Sequence, residues 1–132
     1  ETAGPVSGGT TKAAVMRALR AGVASERVVV DPGVGFGKTP EQSAALVACA
    51  ADLVQETGCP VLIGASRKVF LGAITGRPVG ARLIASVAAA VVAVERGASV
   101  VRVHDVAATV EALRVADAVR RAYAGAAAGR RA

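Results

Sequence analysis

Three clusters of polar residues stand at the ends of three apolar runs, and each combines residue types that a packed core does not need. The first is Asp31-Pro32-Gly33-Val34-Gly35-Phe36-Gly37-Lys38. Its glycines permit positive φ and close backbone approach to a bound group, and Lys38 adds a cation. A tight strand-to-helix turn needs the same glycines, so the loop alone leaves both readings open. It is not a Walker A phosphate loop, because the spacing from glycine to lysine is wrong, although Thr39 follows Lys38. Asp31 favours binding: a carboxylate at a buried strand end must be paired or must hold something, since burial without a partner costs several kcal/mol.

The second cluster, Gly64-Ala65-Ser66-Arg67-Lys68, sets two cations at the start of a helix, where the helix dipole disfavours them. An anionic or polar ligand explains them better than packing does, and the first helical N–H groups would also face it. The third cluster is Arg102-Val103-His104-Asp105. Arg102 and His104 alternate with Val101 and Val103 and so share one side of a strand. A histidine at a strand end is often a packed or capping residue; beside Arg102 it also suits a phosphate clamp.

The elements that must position these clusters follow from the apolar pattern. Residues 27–31, 60–64 and 99–104 are short β-branched runs without polar alternation, as strands covered on both faces require. Helices are predicted between them. Thr11 to about Val23 precedes the first strand. Thr39-Pro40-Glu41-Gln42 is a helix start, with Thr39 as N-cap, Pro40 at the first helical position and Gln42 closing a capping box. That helix should run to about Thr57 and stop at Gly58. Ser66 is placed to cap a short helix reaching toward Ile74, and a helix from about Ala81 to Arg96 should end at Gly97. Residues 107–124 are amphipathic, with Val110, Leu113, Ala116, Val119 and Tyr123 on one face.

Alternation with short connections implies an α/β fold of parallel βα units joined by right-handed crossovers. Ligands bind at the carboxyl ends of such strands, so the three clusters should meet on one face. Three strands cannot close a barrel. A (β/α)8 barrel needs about 250 residues, so this chain would supply only its second half. The expected organisation is one partial barrel domain over residues 1–132, ending in a basic, flexible tail over 120–132.

Composition narrows the function classes. The chain has 132 residues, 53% hydrophobic and 20% charged, which excludes a disordered tail or a disulfide-dense mini-protein. Two Phe, one Tyr and no Trp leave nothing for a base-stacking nucleic-acid platform. The net charge of +6 is partly Arg120, Arg121, Arg130 and Arg131, a solvated helix end; the rest favours anionic small molecules. Cys49 and Cys59 have no metal-ligand spacing and read as residues of a reducing cytosol, with a disulfide between them as the alternative. The longest apolar run, residues 83–94, is too short to span a bilayer. No nucleic-acid or membrane partner is expected, and the location is cytoplasmic.

Together, Asp31-Pro32-Gly33-x-Gly35-Phe36-Gly37-Lys38, Gly64-x-Ser66-Arg67-Lys68-x-Phe70-Leu71-Gly72, Arg82-Leu83-x-x-Ser86 and Arg102-Val103-His104-Asp105-Val106 closely resemble the dihydropteroate synthase family. The resemblance covers residues 27 to about 119. It implies a TIM (β/α)8 barrel, here its C-terminal half with three strands. It also implies a transferase of folate biosynthesis. Such an enzyme condenses 6-hydroxymethyl-7,8-dihydropterin pyrophosphate with p-aminobenzoate, giving 7,8-dihydropteroate and pyrophosphate with Mg2+, and sulfonamides compete for the p-aminobenzoate position.

By the same resemblance Asp31 accepts from the amino-pyrimidine edge of the pterin, Lys68 donates to its ring, and Arg102 stacks on its face. The Gly64 backbone lines that pocket, Arg102 with His104 holds the departing pyrophosphate, and Phe36 flanks p-aminobenzoate. Lys68, Arg102 and His104 are the catalytic candidates, and no metal ligand is assigned; the Mg2+ ligand is expected in the missing N-terminal half. Val69 departs from the pattern, standing where many members carry a serine that helps bind the p-aminobenzoate carboxylate. The resemblance further implies a homodimer at full length, and the chain alone is expected to be inactive. A non-catalytic pterin-binding paralogue is the alternative.

Overall fold

The three β-branched runs lie parallel through short stretches only, and Arg27, expected to open the first strand, instead closes a 3-10 turn, Ser25–Arg27. In the computed structural model, which describes residues 8–129, the helices are α1 (Gly8–Arg20), α2 (Pro40–Val47), α3 (Ala50–Thr57), α4 (Val69–Thr75), α5 (Leu83–Glu95) and α6 (Val106–Gly129). The strands β1 (Leu62–Ile63) and β2 (Val100–Val101) pair in parallel, Leu62 opposite Val100 and Ile63 opposite Val101. The first run joins them through one parallel bridge, Val30 to Val61. The parallel α/β arrangement is as expected, with neighbours in chain order. The regular ladder is shorter than three full strands. Pro60 has no N–H to give, and the run at 27–31 has a sheet partner on one side only.

Apolar residues of the sheet form the centre. Val30, Val61, Ile63 and Ala65 are buried together with Leu46, Leu53, Phe70, Leu71, Ala89 and Ala93 from the surrounding helices. α5 packs on α4 and α6, α2 on α4, and α1 on α3. Alanine dominates the buried side of α5, which lets its backbone approach the sheet closely.

Several local expectations hold. The capping box is formed: the Gln42 N–H donates to Thr39 Oγ1 at 3.2 Å, and the Thr39 N–H donates to Gln42 Oε1 at 2.9 Å. Gly58 ends α3 in the left-handed region. The helix expected from Thr39 to Thr57 is two helices, however, broken at Ala48 and Cys49. The cause is distant in sequence. The Arg96 carbonyl, just beyond α5, accepts the Ala51 N–H at 3.0 Å. Gly97 follows at φ +102°, so close that a Cβ there would meet three Ala51 atoms at 3.1 Å.

Ser66 does not cap a helix. α4 begins at Val69 with Lys68 in the flanking position and no side-chain cap, while the Ser66 hydroxyl is engaged with His104. The expected apolar face of α6 is covered only in part: Val110, Val119 and Tyr123 are exposed, and the 24-residue α6 outruns the 13-residue α5 on which it packs. Residues 120–129 of the expected tail are helical, and 130–132 lie outside the described residues. Among the described residues no helix is long and apolar enough to cross a membrane.

Candidate active site

The loop after the first run, residues 31–38, is shaped by three glycines at positive φ: Gly33 (75°), Gly35 (82°) and Gly37 (61°). Asp31 opens it, and its Oδ1 accepts the Gly33 N–H at 2.9 Å, which folds the loop back toward the strand end. Its other oxygen, Oδ2, accepts from Arg102 Nη1 at 3.1 Å, across a separation of seventy-one residues. Asp31 is thus paired but not buried; its side chain is 34% exposed and that of Arg102 56%. An ion pair this wet contributes at most about 1 kcal/mol, so its interest is geometric rather than energetic.

Gly64 lies between these two residues in the sheet and makes the pairing feasible. It is buried, and a Cβ on it would stand 2.6 Å from Arg102 Nη2. The guanidinium therefore lies against bare backbone, held flat at the strand ends.

Lys68 reaches the same loop from the other side. Its Nζ is 4.2 Å from the centre of the Phe36 ring, and its stem passes 3.2 Å from where a Gly35 Cβ would be. Phe36 itself is 64% exposed, an aromatic face held at the surface by a cation and a glycine loop. Lys38 turns back to donate to the Phe36 carbonyl at 3.0 Å.

His104 is placed by Ser66. The Ser66 Oγ accepts the His104 backbone N–H at 3.2 Å and lies 2.8 Å from its ring Nδ1. No hydrogen bond joins His104 to Arg102 among the described residues; the guanidinium turns to Asp31 and the imidazole to Ser66. The six candidate residues meet through pairwise contacts. Asp31, Arg102 and Gly64 form one group and Phe36 and Lys68 another, while His104 contacts Ser66, which lies between Gly64 and Lys68 along the chain.

Arg67 has a structural role that its sequence position did not reveal. It donates to both carboxylate oxygens of Asp105, at 2.9 and 3.3 Å. Arg82, just before α5, and Ser86 within it then fix the backbone of this turn. Arg82 Nη1 donates to the carbonyls of Arg67 and Lys68 at 3.1 and 3.3 Å, and Ser86 Oγ accepts the Arg67 N–H at 2.9 Å. Their spacing of four, on one helical face, was the available signal. It marks a face and does not say which turn the face meets.

Next to Asp31, an open groove of about 520 Å3 runs between α1 and residues 28–33. It shares Asp31, Gly33 and Lys38 with the site and lies along the unpaired side of the first run. Among the described residues no group of three His, Cys, Asp or Glu is placed to hold a metal ion.

Residues 8–104 match the pterin binding enzyme family. A dihydropteroate synthase of Neisseria meningitidis serogroup C is 47% identical over 109 residues, covering 82% of this chain and 38% of that protein. The crystal structure of dihydropteroate synthase from Stenotrophomonas maltophilia, with active site-bound imidazole, superposes with a TM-score of 0.81 at 45% identity, covering 85% of this chain and 42% of that one. Dihydropteroate synthase from Xanthomonas albilineans, in complex with 7,8-dihydropteroate, gives 0.77 at 47% identity, covering 80% and 40%. The chain thus spans about two fifths of the length of the relatives it matches. With residues 8–104 inside one family's pattern, 97 consecutive positions, the chain belongs to the pterin binding enzyme family.

Proposed function

We propose that this chain supplies the C-terminal half of a (β/α)8 dihydropteroate synthase barrel, and with it the part of the active site that grips the pterin. The observation that carries the reading is the Asp31–Arg102 pair lying over the bare backbone of Gly64. A carboxylate and a flat guanidinium at that spacing suit a flat heterocycle with an amino-pyrimidine edge. Asp31 accepts from that edge, Arg102 stacks on the ring face, and Lys68 donates to the ring. Phe36 flanks p-aminobenzoate, from the position where Lys68 already rests over its ring.

The reaction needs no side-chain nucleophile. The bond between the pterin methylene and the pyrophosphate oxygen breaks, and its electrons leave with the oxygen. The aniline nitrogen of p-aminobenzoate forms the new C–N bond and loses a proton. Arg102 and His104 face the charge that grows on the leaving group, where fixed donors are worth most. Mg2+ neutralises pyrophosphate when bound; its ligands are assigned to the portion of the relatives outside this chain. Sulfonamides compete at the Phe36 side.

The same reading carries a cytoplasmic location, in keeping with free thiols at Cys49 and Cys59, and a homodimer at full length. It carries no nucleic-acid or membrane partner. Val69, 77% exposed where a serine hydroxyl would help hold the p-aminobenzoate carboxylate, favours a second reading, a non-catalytic pterin-binding paralogue.

Titration calorimetry with 6-hydroxymethyl-7,8-dihydropterin pyrophosphate tests the proposal. Binding should weaken at least tenfold, about 1.4 kcal/mol, in Asp31→Asn and in Arg102→Ala. Absence of binding, or unchanged affinity in both variants, refutes it. Dihydropteroate formation should be absent for the chain alone. Turnover restored by adding the N-terminal half of a relative separates a synthase from a binding paralogue.

A further inference from the structure

We propose that Ser66 is a positioning residue that holds the neutral His104 ring in one tautomer, with its proton on Nε2. The ring then offers an N–H donor, and not a lone pair, to an anionic ligand oxygen.

The argument is a count of protons and lone pairs. A serine hydroxyl has one proton to donate and two lone pairs to accept with. Ser66 is 5% exposed, and its Oγ already spends one lone pair on the His104 backbone N–H at 3.2 Å. Its second neighbour is the ring Nδ1 at 2.8 Å. Two arrangements fit that contact. Either the hydroxyl donates to a bare Nδ1, or a protonated Nδ1 donates to the second lone pair. In the latter case the hydroxyl proton needs another acceptor, and the described residues offer none within hydrogen-bonding distance. A buried, unspent donor is the losing arrangement. The hydroxyl therefore donates to Nδ1, and the neutral ring must carry its proton on Nε2.

The geometry around Ser66 supports a fixed donor. The next residue, Arg67, is held by Ser86 through its N–H, by Arg82 through its carbonyl and by Asp105 through its guanidinium. The hydroxyl is thus tied to a turn anchored on α5. His104 is exposed, and its Nε2 makes no hydrogen bond among the described residues. It is left free for a ligand. A ring in this tautomer recognises an oxygen acceptor such as a pyrophosphate oxygen without needing a charge. It also presents no lone pair with which Nε2 could take a metal. The identity of the anion rests on the function proposed above; the tautomer does not.

His104 is the sole histidine, so its ring resonances need no assignment. Long-range 1H–15N correlation of the 15N-labelled chain, at a pH where the ring is neutral, should show Nδ1 wholly unprotonated and Nε2 protonated. The Ser66 hydroxyl proton should exchange slowly and couple to Nδ1. A protonated Nδ1 in the wild-type chain overturns the proposal whatever any variant does. Free histidine already favours the Nε2–H form, so Ser66→Ala should introduce a minor Nδ1–H population that shifts the Nδ1 signal toward the protonated range. Ser66→Thr, which keeps the hydroxyl, should remove it again. An unshifted Nδ1 in Ser66→Ala also overturns the proposal. Added inorganic pyrophosphate should move Nε2–H and leave Nδ1 unprotonated. An intact tautomer with no response to pyrophosphate supports Ser66 in its role and counts against the anion site instead.

Discussion

Arg67 and Asp105, thirty-eight residues apart, are joined by two hydrogen bonds while Arg67 sits at φ +57°, the one non-glycine residue at positive φ among those described. The strain and the ion pair occur at the same residue. A left-handed conformation costs a side-chain-bearing residue about 1–2 kcal/mol. The pair, with side chains 44% and 28% exposed, returns at most about 1 kcal/mol. Arg67→Gly should therefore leave stability within about 1 kcal/mol of wild type. Arg67→Ala keeps the strain and loses the pair, and should cost about 1 kcal/mol. Urea midpoints decide it; a glycine variant less stable than the alanine variant contradicts this account.

Arg82 holds three carbonyls, those of Arg67, Lys68 and Arg77, with one guanidinium. Gly72 leaves it room, since a Cβ there would collide with Arg82 Nη2. Arg82→Ala should destabilise the fold by about 2 kcal/mol, the scale of hydrogen bonds made by a charged donor. Arg82→Lys should recover less than half, because a single ammonium cannot span the carbonyls a planar fork reaches. Chemical denaturation of the three proteins is the measurement. Equal stability of Arg82→Lys and wild type would show that charge alone matters.

Two glycines should respond oppositely to alanine. At Gly64 the new Cβ meets the mobile end of Arg102, which can swing away. Gly64→Ala should change stability by less than about 1 kcal/mol yet displace the guanidinium and weaken pterin pyrophosphate binding at least tenfold. At Gly97 the Cβ meets Ala51 backbone at φ +102°, and neither can give. Gly97→Ala should cost about 3 kcal/mol with little specific effect on binding by the molecules still folded. Paired melting and calorimetry separate these outcomes, and similar melting losses for both would refute the distinction.

Burial and the nearby Asp52 push the Cys49 thiol above its ordinary value of 9.0. The native chain then holds this proton more tightly than the unfolded chain does. Its contribution to stability is present below the ordinary value and is lost as pH rises through the raised one. Denaturant midpoints should fall from pH 9 upward, less steeply in Cys49→Ala. Cys49 should also alkylate more slowly than an unfolded cysteine at the same pH. Faster alkylation, or identical alkaline slopes, would show the thiol is not held this way.

Much of this was legible in the residues because it is written locally. The capping box at Thr39 and Gln42 and the stop at Gly58 depend on neighbours within a few positions, and both are formed. What was misread depends on partners far along the chain. The Thr39–Thr57 pattern is helical throughout, and nothing in it announces that the Arg96 carbonyl will claim the Ala51 N–H. Ser66 has the residue type and position of an N-cap; its hydroxyl is instead drawn to His104. Asp31 was expected to need a partner because it was buried. It has the partner, Arg102, without the burial. Nothing local to Asp31 or Lys68 names Arg102 or Phe36 as the residue each one meets.

The single bridge at Val30 has a directional consequence. Its N–H and carbonyl are both spent on the Pro60–Leu62 side. In an extended chain the groups of Val29 and Asp31 then point the opposite way, over the groove beside α1. Any incoming β segment that lengthens the sheet here must align on those two residues. Docking such a segment would touch the peptide unit of the same aspartate that meets Arg102, so assembly at this margin and the geometry of the site converge on one residue.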